Sequence, residues 1–552
     1  MKPASFNLAD VWEGVAAQVP GRVAIVCGER RLTYAQLDER ANRLAHWMRA
    51  QGVGPGQHVG CYLRNGPEYV EAMLAAYKLR AAPININYRY VDDELAYLFA
   101  DADLVGVVHH RSFSPRIVSV RDRLANKLSR LHWCLTVDDN SGAAPAAGPD
   151  YEAALAGADP VGNFPPRSGD DPYVIYTGGT TGMPKGVVWR SEDAFFACMG
   201  GGDATRVQGP VRSPDEVLSR ISKPADQMVF LPAAPLMHAA GCWTVMMWLF
   251  AGARIVLLPG PFEPQEIWRT VEREHVRFIS VVGDAMLRPL LDGWDALDPK
   301  PDISCLANIG SGGAPMSVTI RQRTLATFPG VRVADGYGSS ETGIQGARRF
   351  DAGTSGQPGS NFSPSNFSPS NFSSSNATVL DEVSLTPLSP GDGRVGRVAR
   401  TGRIPLGYYN DPEKTARTFV ERDGQRWAIS GDMGTLEADG TITVLGRGSL
   451  CINTGGEKVF PDEVEAVLRA HPAVYDAVVV GAPDKRWGQR VVAIVQTTNE
   501  ITKVDAAELR GFCRASLAGY KVPKDVVFVD EIVRSPAGKA DYRWAARVAS
   551  RS

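Results

Sequence analysis

The stretch Thr177-Gly178-Gly179-Thr180-Thr181-Gly182-Met183-Pro184-Lys185-Gly186 follows the apolar run Tyr173–Tyr176 and constrains the chain more than any other. Its glycines hold no regular helix or strand; they allow a tight turn and close approach of backbone to a ligand. Threonine hydroxyls and one ammonium face that turn, and backbone N–H groups in such a turn form a nest for anions. The chemistry points to a pyrophosphate or triphosphate. The stretch is not a Walker A loop, because Lys185 does not directly follow Gly182 and no Ser or Thr follows the lysine. The plain alternative is a surface loop rich in Gly and Thr.

Upstream, strand and helix signals alternate. Val23–Cys27 and Arg31–Tyr34 read as short strands around a Gly28-Glu29-Arg30 turn, and His58–Leu63 and Val105–His109 as further strands. Leu37, Ala41, Leu44, Ala45 and Met48 recur at helical spacing, and Tyr69–Leu79 is a second helix. Such alternation predicts an α/β layered domain with a largely parallel sheet. His109 and His110 are adjacent and cannot share a helix face, so they read as structural.

Downstream, Phe230-Leu-Pro-Ala-Ala-Pro-Leu-Met-His238 places a histidine among prolines and small residues. The apolar segment Ala239–Ala253 is too short for a bilayer, which needs about 20 residues, and reads as a buried helix. Its stripe Trp243, Met246, Met247 and Trp248 reads first as core, with part of it available to wall an apolar pocket. Ile303–Ala307 and Gly310-Ser-Gly312-Gly313-Ala314-Pro315 read as strand, glycine turn and helix start, where open α/β sheets bind nucleotides. Val331-Arg-Val-Ala-Asp335-Gly336-Tyr337-Gly338-Ser339-Ser-Glu341-Thr342-Gly343 reads as a strand running into a turn. There an aromatic face can stack on a purine, Thr342 can donate to a phosphate oxygen, and Glu341 can hold Mg²⁺.

Between 359 and 376 the unit Asn-Phe-Ser-Pro-Ser occurs twice, followed by Asn-Phe-Ser-Ser-Ser. Ser/Pro repeats bury too little surface to order themselves, so a mobile surface loop is expected. Trp427-Ala-Ile-Ser-Gly-Asp432 then reads as an aspartate on a turn after a strand, and Arg447 precedes Gly448 and Ser449. From about 450 the rhythm changes: Pro461–Ala470 and Ala506–Ser516 read as helices, Val474–Val480, Arg490–Gln496 and Lys521–Val529 as strands. The chain ends near Pro536-Ala-Gly-Lys539.

Taken in this order, these stretches resemble the adenylate-forming superfamily of acyl-CoA synthetases, luciferases and peptide-synthetase adenylation domains. Leu32-Thr-Tyr-Ala-Gln-Leu37 and Ala82-Pro-Ile-Asn-Ile-Asn-Tyr-Arg89 resemble its opening. Lys185-Gly-Val-Val-Trp189 and Val282–Leu291 look most like bacterial fatty-acid or steroid-acid CoA ligases. The resemblance implies an α/β fold: a large N-terminal AMP-binding domain, residues 1–447, of layered sheets and helices with a β-barrel-like part, and a small mobile α+β C-terminal domain, residues 448–552. It implies an ATP-dependent carboxylic acid–CoA ligase acting through an acyl-adenylate, with ATP, Mg²⁺ and coenzyme A, on medium- or long-chain, branched or steroid-derived acids.

By the same resemblance, Thr177, Gly178, Gly179, Thr180, Thr181, Gly182 and Lys185 grip phosphates. Gly312, Gly313, Ala314 and Pro315 lie along adenine, and Asp335, Gly336, Tyr337, Gly338 and Ser339 belong to the nucleotide site. Asp432 and Arg447 hold ribose, Glu341 holds Mg²⁺, and Thr342 and Lys539 serve the transferred phosphoryl group. His238 orients the acid and gates thiol entry, and Gly455 and Gly456 line a pantetheine channel. Family members carry Asp or Lys as a hinge where this chain has Ser449; Gly448 is expected to supply the freedom instead. The alternatives are adenylation with a carrier protein or water as acceptor, a luciferase-like oxidative fate, and a silent acyl or nucleotide binder.

Composition narrows the rest. The chain has 552 residues, 44% hydrophobic and 22% charged, with a formal charge of −2, which gives no electrostatic case for nucleic acid. Eight cysteines without a C-x-x-C pair read as reduced thiols of a cytoplasmic protein. The N-terminus lacks a signal-peptide core. A homodimer and peripheral contact with a membrane surface are both compatible with the sequence.

Overall fold

The helical-spaced residues Leu37, Ala41, Leu44, Ala45 and Met48 are all buried along one face of helix Tyr34–Ala50. Tyr34, read from sequence as strand, opens this helix instead. Thr33 and Gln36 form a reciprocal capping box that satisfies the orphan N–H groups of the first turn. Thr33→Ala is expected to cost about 1 kcal/mol, measured as an earlier thermal unfolding transition. This computed structural model describes residues 3–124, 130–145, 148–178, 183–314, 316–350, 376–454, 457–498, 504–534 and 538–550, with backbone alone at 370–372.

Helices Leu8–Gln18, Tyr34–Ala50, Pro67–Lys78 and Ala239–Phe250 form a central layer between two sheets, and one core joins all three. One sheet has eight strands in the order Gly343–Phe350, Arg332–Ser339, Asn308–Gly312, Phe278–Val281, Val229–Pro232, Arg254–Leu257, Val23–Cys27, Arg30–Thr33. Its interior pairs are parallel and its two edge pairs antiparallel. The other sheet is parallel: Ala82–Asn85, His58–Tyr62, Leu104–His110, Trp133–Val137. Helices Pro264–Glu274, Gly283–Asp295 and Val318–Thr327 cover the outer face of the first sheet, and Asp92–Asp101 and Ser114–Arg123 that of the second. Parallel strands covered on both faces explain the near-continuous apolar runs. His109 and His110 are buried within this sheet, as structural residues.

Two antiparallel sheets supply the barrel-like part. Pro172–Thr177, Lys185–Arg190 and Gly407–Tyr408 form one. The other contains Gln425–Leu436 and Ile442–Arg447 and takes in Ser370–Phe372 from the Asn-Phe-Ser repeat, which pairs with Ile442–Val444. That segment is therefore a strand, a correction to the expected loop; the rest of the repeat, up to 375, lies outside the described residues. From Ile452 the chain builds a separate five-stranded sheet around Val474–Asp484 and Gly488–Thr497, with helices Pro461–Arg469, Ala506–Ser516 and Tyr542–Ala549 packed on it.

Glycines depart most from expectation. Gly310 and Gly312 lie inside strand Asn308–Gly312, not in a turn, and Ile303–Ala307 is not a strand. Gly310 leaves room for the Phe278 ring, whose edge would lie 2.8 Å from an added Cβ, while an added Cβ at Gly312 meets nothing within 4 Å. In register, Gly312 lies beside Gly336, so at this pair the sheet presents bare backbone.

Candidate functional site

The strands Pro172–Thr177 and Lys185–Arg190 are paired antiparallel so that Thr177 stands opposite Lys185. Of the residues between them, Gly179, Thr180, Thr181 and Gly182 lie outside the described residues, as do Pro315, Gly455 and Gly456. Asn85 clips the end of the first strand: its amide donates to the carbonyls of Tyr176 and Met237 at 2.8 and 2.7 Å, and its oxygen accepts the Tyr176 N–H. One side chain thus ties strand Pro172–Thr177 to the segment leading into His238. Lys185 pairs with Asp411 at 2.8 Å.

His238 caps helix Ala239–Phe250, and its Nε2 is buried without a hydrogen-bond partner. Burial, and then the positive charges of Lys539 and Arg89, push its pKa down to about 4, so the ring is neutral near pH 7. The turn before it needs Gly241, since a Cβ there would lie 2.3 Å from the Pro235 carbonyl oxygen. Trp243, Met246, Met247 and Trp248 are all buried as core; Trp243 donates to the Tyr173 hydroxyl at 2.7 Å. Ala240 and Thr244 are the half-buried face of this helix, and Ala240 is the nearest side chain to Gly313.

Strand Arg332–Ser339 runs straight through Gly336 and Gly338, so the turn comes only at Ser340–Thr342 before Gly343–Phe350 returns. Glu341 sits on that turn, and the Tyr408 hydroxyl donates to its Oε1 at 2.9 Å. Thr342 corrects the sequence reading. It is fully buried, and its hydroxyl serves the turn itself, accepting the Ser339 N–H at 3.1 Å and meeting Ser339 Oγ at 3.0 Å. The half-buried hydroxyl next to the carboxylate belongs to Ser340. The signal was present, because Ser340 immediately precedes the glutamate in Tyr-Gly-Ser-Ser-Glu.

Two side chains that hold this turn carried no such signal. Trp189 Nε1 donates to the Ser340 carbonyl at 3.1 Å. The buried Arg400 guanidinium donates to the carbonyls of Thr342 and Ile344. An arginine in a run such as Gly393–Arg400 reads as surface charge until the fold buries it.

Asp432 lies inside strand Gln425–Leu436 rather than on a turn, beside a bulge and opposite Arg447, with 3.5 Å between their charged atoms. Its Oδ2 accepts the hydroxyls of Tyr337 at 2.6 Å and Ser430 at 3.0 Å. Tyr337 therefore joins the eight-stranded sheet to the antiparallel one. Asp335 is turned to the outer face, accepts the Met316 N–H at 3.3 Å, and has its pKa pushed up to about 8 by burial.

The tail closes the cluster. Gly538 has φ +69°, and an added Cβ there would lie 2.9 Å from Ala285 Cβ and 3.2 Å from the Val282 carbonyl oxygen. The next residue, Lys539, comes within the field of Arg447, Glu341 and Asp432; burial and then the Arg447 charge lower its pKa. Gly448, expected to be the flexible residue of the junction, begins the short helix Gly448–Leu450; the positive φ belongs to Gly446, at +134°. A Cβ on Gly446 would lie 2.2 Å from Asp462 Oδ2. Lys539, Glu341, Ser340, Asp432, Arg447 and His238 thus converge from segments 300 residues apart in sequence.

The chain matches the AMP-binding enzyme family over residues 12–399 and the AMP-binding enzyme C-terminal domain over residues 463–539. It is 45% identical to a 3-oxocholest-4-en-26-oate–CoA ligase of Rhodococcus rhodochrous, over 98% of this chain and 95% of that one. It is 43% identical to a medium/long-chain-fatty-acid–CoA/3-oxocholest-4-en-26-oate–CoA ligase of Mycobacterium marinum, over 98% and 96%. The crystal structure of an anthranilate CoA ligase in complex with anthranoyl-AMP superimposes with a TM-score of 0.81 at 22% identity, covering 99% of this chain and 98% of that one.

Proposed function

The chain belongs to the AMP-binding enzyme family and is an ATP-dependent acid–CoA ligase, and from that premise we propose how its residues divide the work and which acids it takes. The acid is medium- or long-chain, branched or steroid-derived; the relatives at 45% and 43% identity are named for 3-oxocholest-4-en-26-oate and for medium/long-chain fatty acids. The observation that carries the residue assignment is the placement of Lys539 in one field with Glu341, Asp432 and Arg447.

A carboxylate is a poor acyl donor because its leaving group would be oxide. Its oxygen attacks the α-phosphorus of ATP, the bond to the bridging oxygen breaks, and pyrophosphate leaves with the electron pair. AMP is then the leaving group when the thiolate of coenzyme A attacks the acyl carbon. Lys539 and Ser340 face the charge that builds on the α-phosphoryl oxygens, where fixed donors and cations lower the barrier; Ser340 replaces Thr342 in this role. Thr177, Gly178 and Lys185, with Gly179, Thr180, Thr181 and Gly182 of the same loop, hold the β- and γ-phosphates. Asp432 and Arg447 hold ribose, and Tyr337 and the Gly312–Ala314 backbone meet the base. Neutral His238 orients the acid carboxylate without adding charge.

Mg²⁺ fits Glu341: a single half-buried carboxylate beside the phosphate-gripping lysines suits an ion that binds through one or two carboxylates and the substrate phosphates. There it would supply charge neutralisation on the phosphates. Among the described residues no cluster of three metal-ligating side chains offers a cage of its own.

We place the domain boundary after Arg447, supported by the change of sheet between Ile442–Arg447 and Ile452–Thr454. Residues 448–552 then rotate between half-reactions, withdrawing Lys539 and bringing Gly455 and Gly456 to the pantetheine arm. No helix among the described residues is long and apolar enough to cross a membrane; a cytoplasmic site, a homodimer and peripheral membrane contact belong to this proposal. The test is CoA-dependent AMP release across acetate, benzoate, octanoate, palmitate and a steroid side-chain acid. Release is expected with the last three; release without CoA, or none with any acid, overturns the reading.

A further inference from the structure

We propose that Lys414 is a second cationic ligand of the ATP β- and γ-phosphates and of departing pyrophosphate, acting beside Lys185. The inference rests on the ligase reading above. Strand Gly407–Tyr408 pairs with Lys185–Arg190, placing Tyr408 opposite Val187 and directing the chain into helix Pro412–Thr418 toward the Thr177–Lys185 end of that hairpin. Asp411 caps that helix, accepting the Lys414 N–H at 2.9 Å, and also receives the Lys185 ammonium at 2.8 Å.

The Tyr408 ring gathers the charges. The Lys414 ammonium lies 4.6 Å from its centroid and the Lys185 ammonium 6.0 Å, while its hydroxyl reaches Glu341 at 2.9 Å. Two ammonium groups are thus packed around one aromatic ring next to the carboxylate assigned to the phosphates' counter-ion. Lys185 has a direct carboxylate partner; among the described residues, Lys414 has none at ion-pair distance. Like charges held this close repel, and burial together with the Lys185 ammonium lowers the Lys414 pKa to about 8. A polyanion between the two lysines turns that repulsion into attraction. As the α–β bridging bond breaks, negative charge moves onto pyrophosphate, so the second ammonium stabilises the leaving group. Lysine suits the task because its compact charge can follow a phosphate as it departs.

Exchange of labelled pyrophosphate into ATP measures this directly. Lys414→Met is expected to raise the pyrophosphate concentration for half-maximal exchange about tenfold or more, and Lys414→Arg to restore most of it. Both variants should form thioester from supplied acyl-adenylate and CoA at the wild-type rate. An unchanged pyrophosphate dependence in Lys414→Met overturns the proposal. So does a matching loss in thioester formation, which would make the lysine a packing element over Tyr408. Absence of exchange in the wild-type enzyme would overturn the ligase reading itself, a different result from either.

Discussion

Lys539→Ala is expected to slow pyrophosphate exchange about 10²–10³-fold, the scale on which removing one preorganised charge-stabilising donor acts. Thioester formation from supplied acyl-adenylate should stay near wild type. The reasoning starts from the cost of placing this ammonium. Burial and the Arg447 guanidinium disfavour its charge, and Glu341 and Asp432 favour it. In the proposed reaction the charge that builds on the phosphoryl group of ATP is what this buried cation meets. In the second half-reaction the phosphoryl charge is already settled on AMP, so the lysine has no task there. Equal loss in both half-reactions would remove Lys539 from its role.

Gly446→Val is the second large effect. At φ +134° the backbone occupies a region open essentially to glycine alone, and strain of this kind costs about 1–3 kcal/mol. The new side chain would also begin 2.2 Å from the Asp462 carboxylate on helix Pro461–Arg469. Asp462 is half-buried, and desolvation and then Glu465 raise its pKa to about 7. The clash falls where helix Pro461–Arg469 meets the Asp432–Arg447 strand pair, the proposed ribose site. Pyrophosphate exchange is expected to fall about 10-fold to 100-fold, each tenfold corresponding to about 1.4 kcal/mol. Adding Asp462→Ala should recover part of the loss, because it relieves the contact but not the backbone strain. A cycle with no recovery would assign the whole effect to the backbone.

Helix Ala506–Ser516 and the buried stripe of Tyr34–Ala50 were legible because amphipathic spacing is a local property. Glycine was harder. In Gly310-Ser-Gly-Gly it signals a turn by local preference, yet parallel pairing with Phe278–Val281 and Arg332–Ser339 carries the strand through Gly310 and Gly312. Asp432 was read onto a turn for the same reason: Gly431 stands before it with φ +87°, but the strand continues past the irregularity. The proposed site residues come from family likeness, and Thr342 shows the limit of that route. Two hydroxyl residues flank Glu341, and only the fold distinguishes the half-buried one from the buried one. Arg400 and Trp189 were invisible because their role is to hold carbonyls, which no side-chain pattern announces.

Strand Ser370–Phe372 pairs at the edge of the sheet whose neighbouring strand ends in Arg447. The tripeptide Ser-Asn-Phe that forms it also occurs at 360–362 and 365–367. The same three residues thus stand at three places in the sequence, and the copy at 370–372 is the one paired with Ile442–Val444. Deleting the unit 361–365 is therefore expected to leave the paired copy and its register as they are.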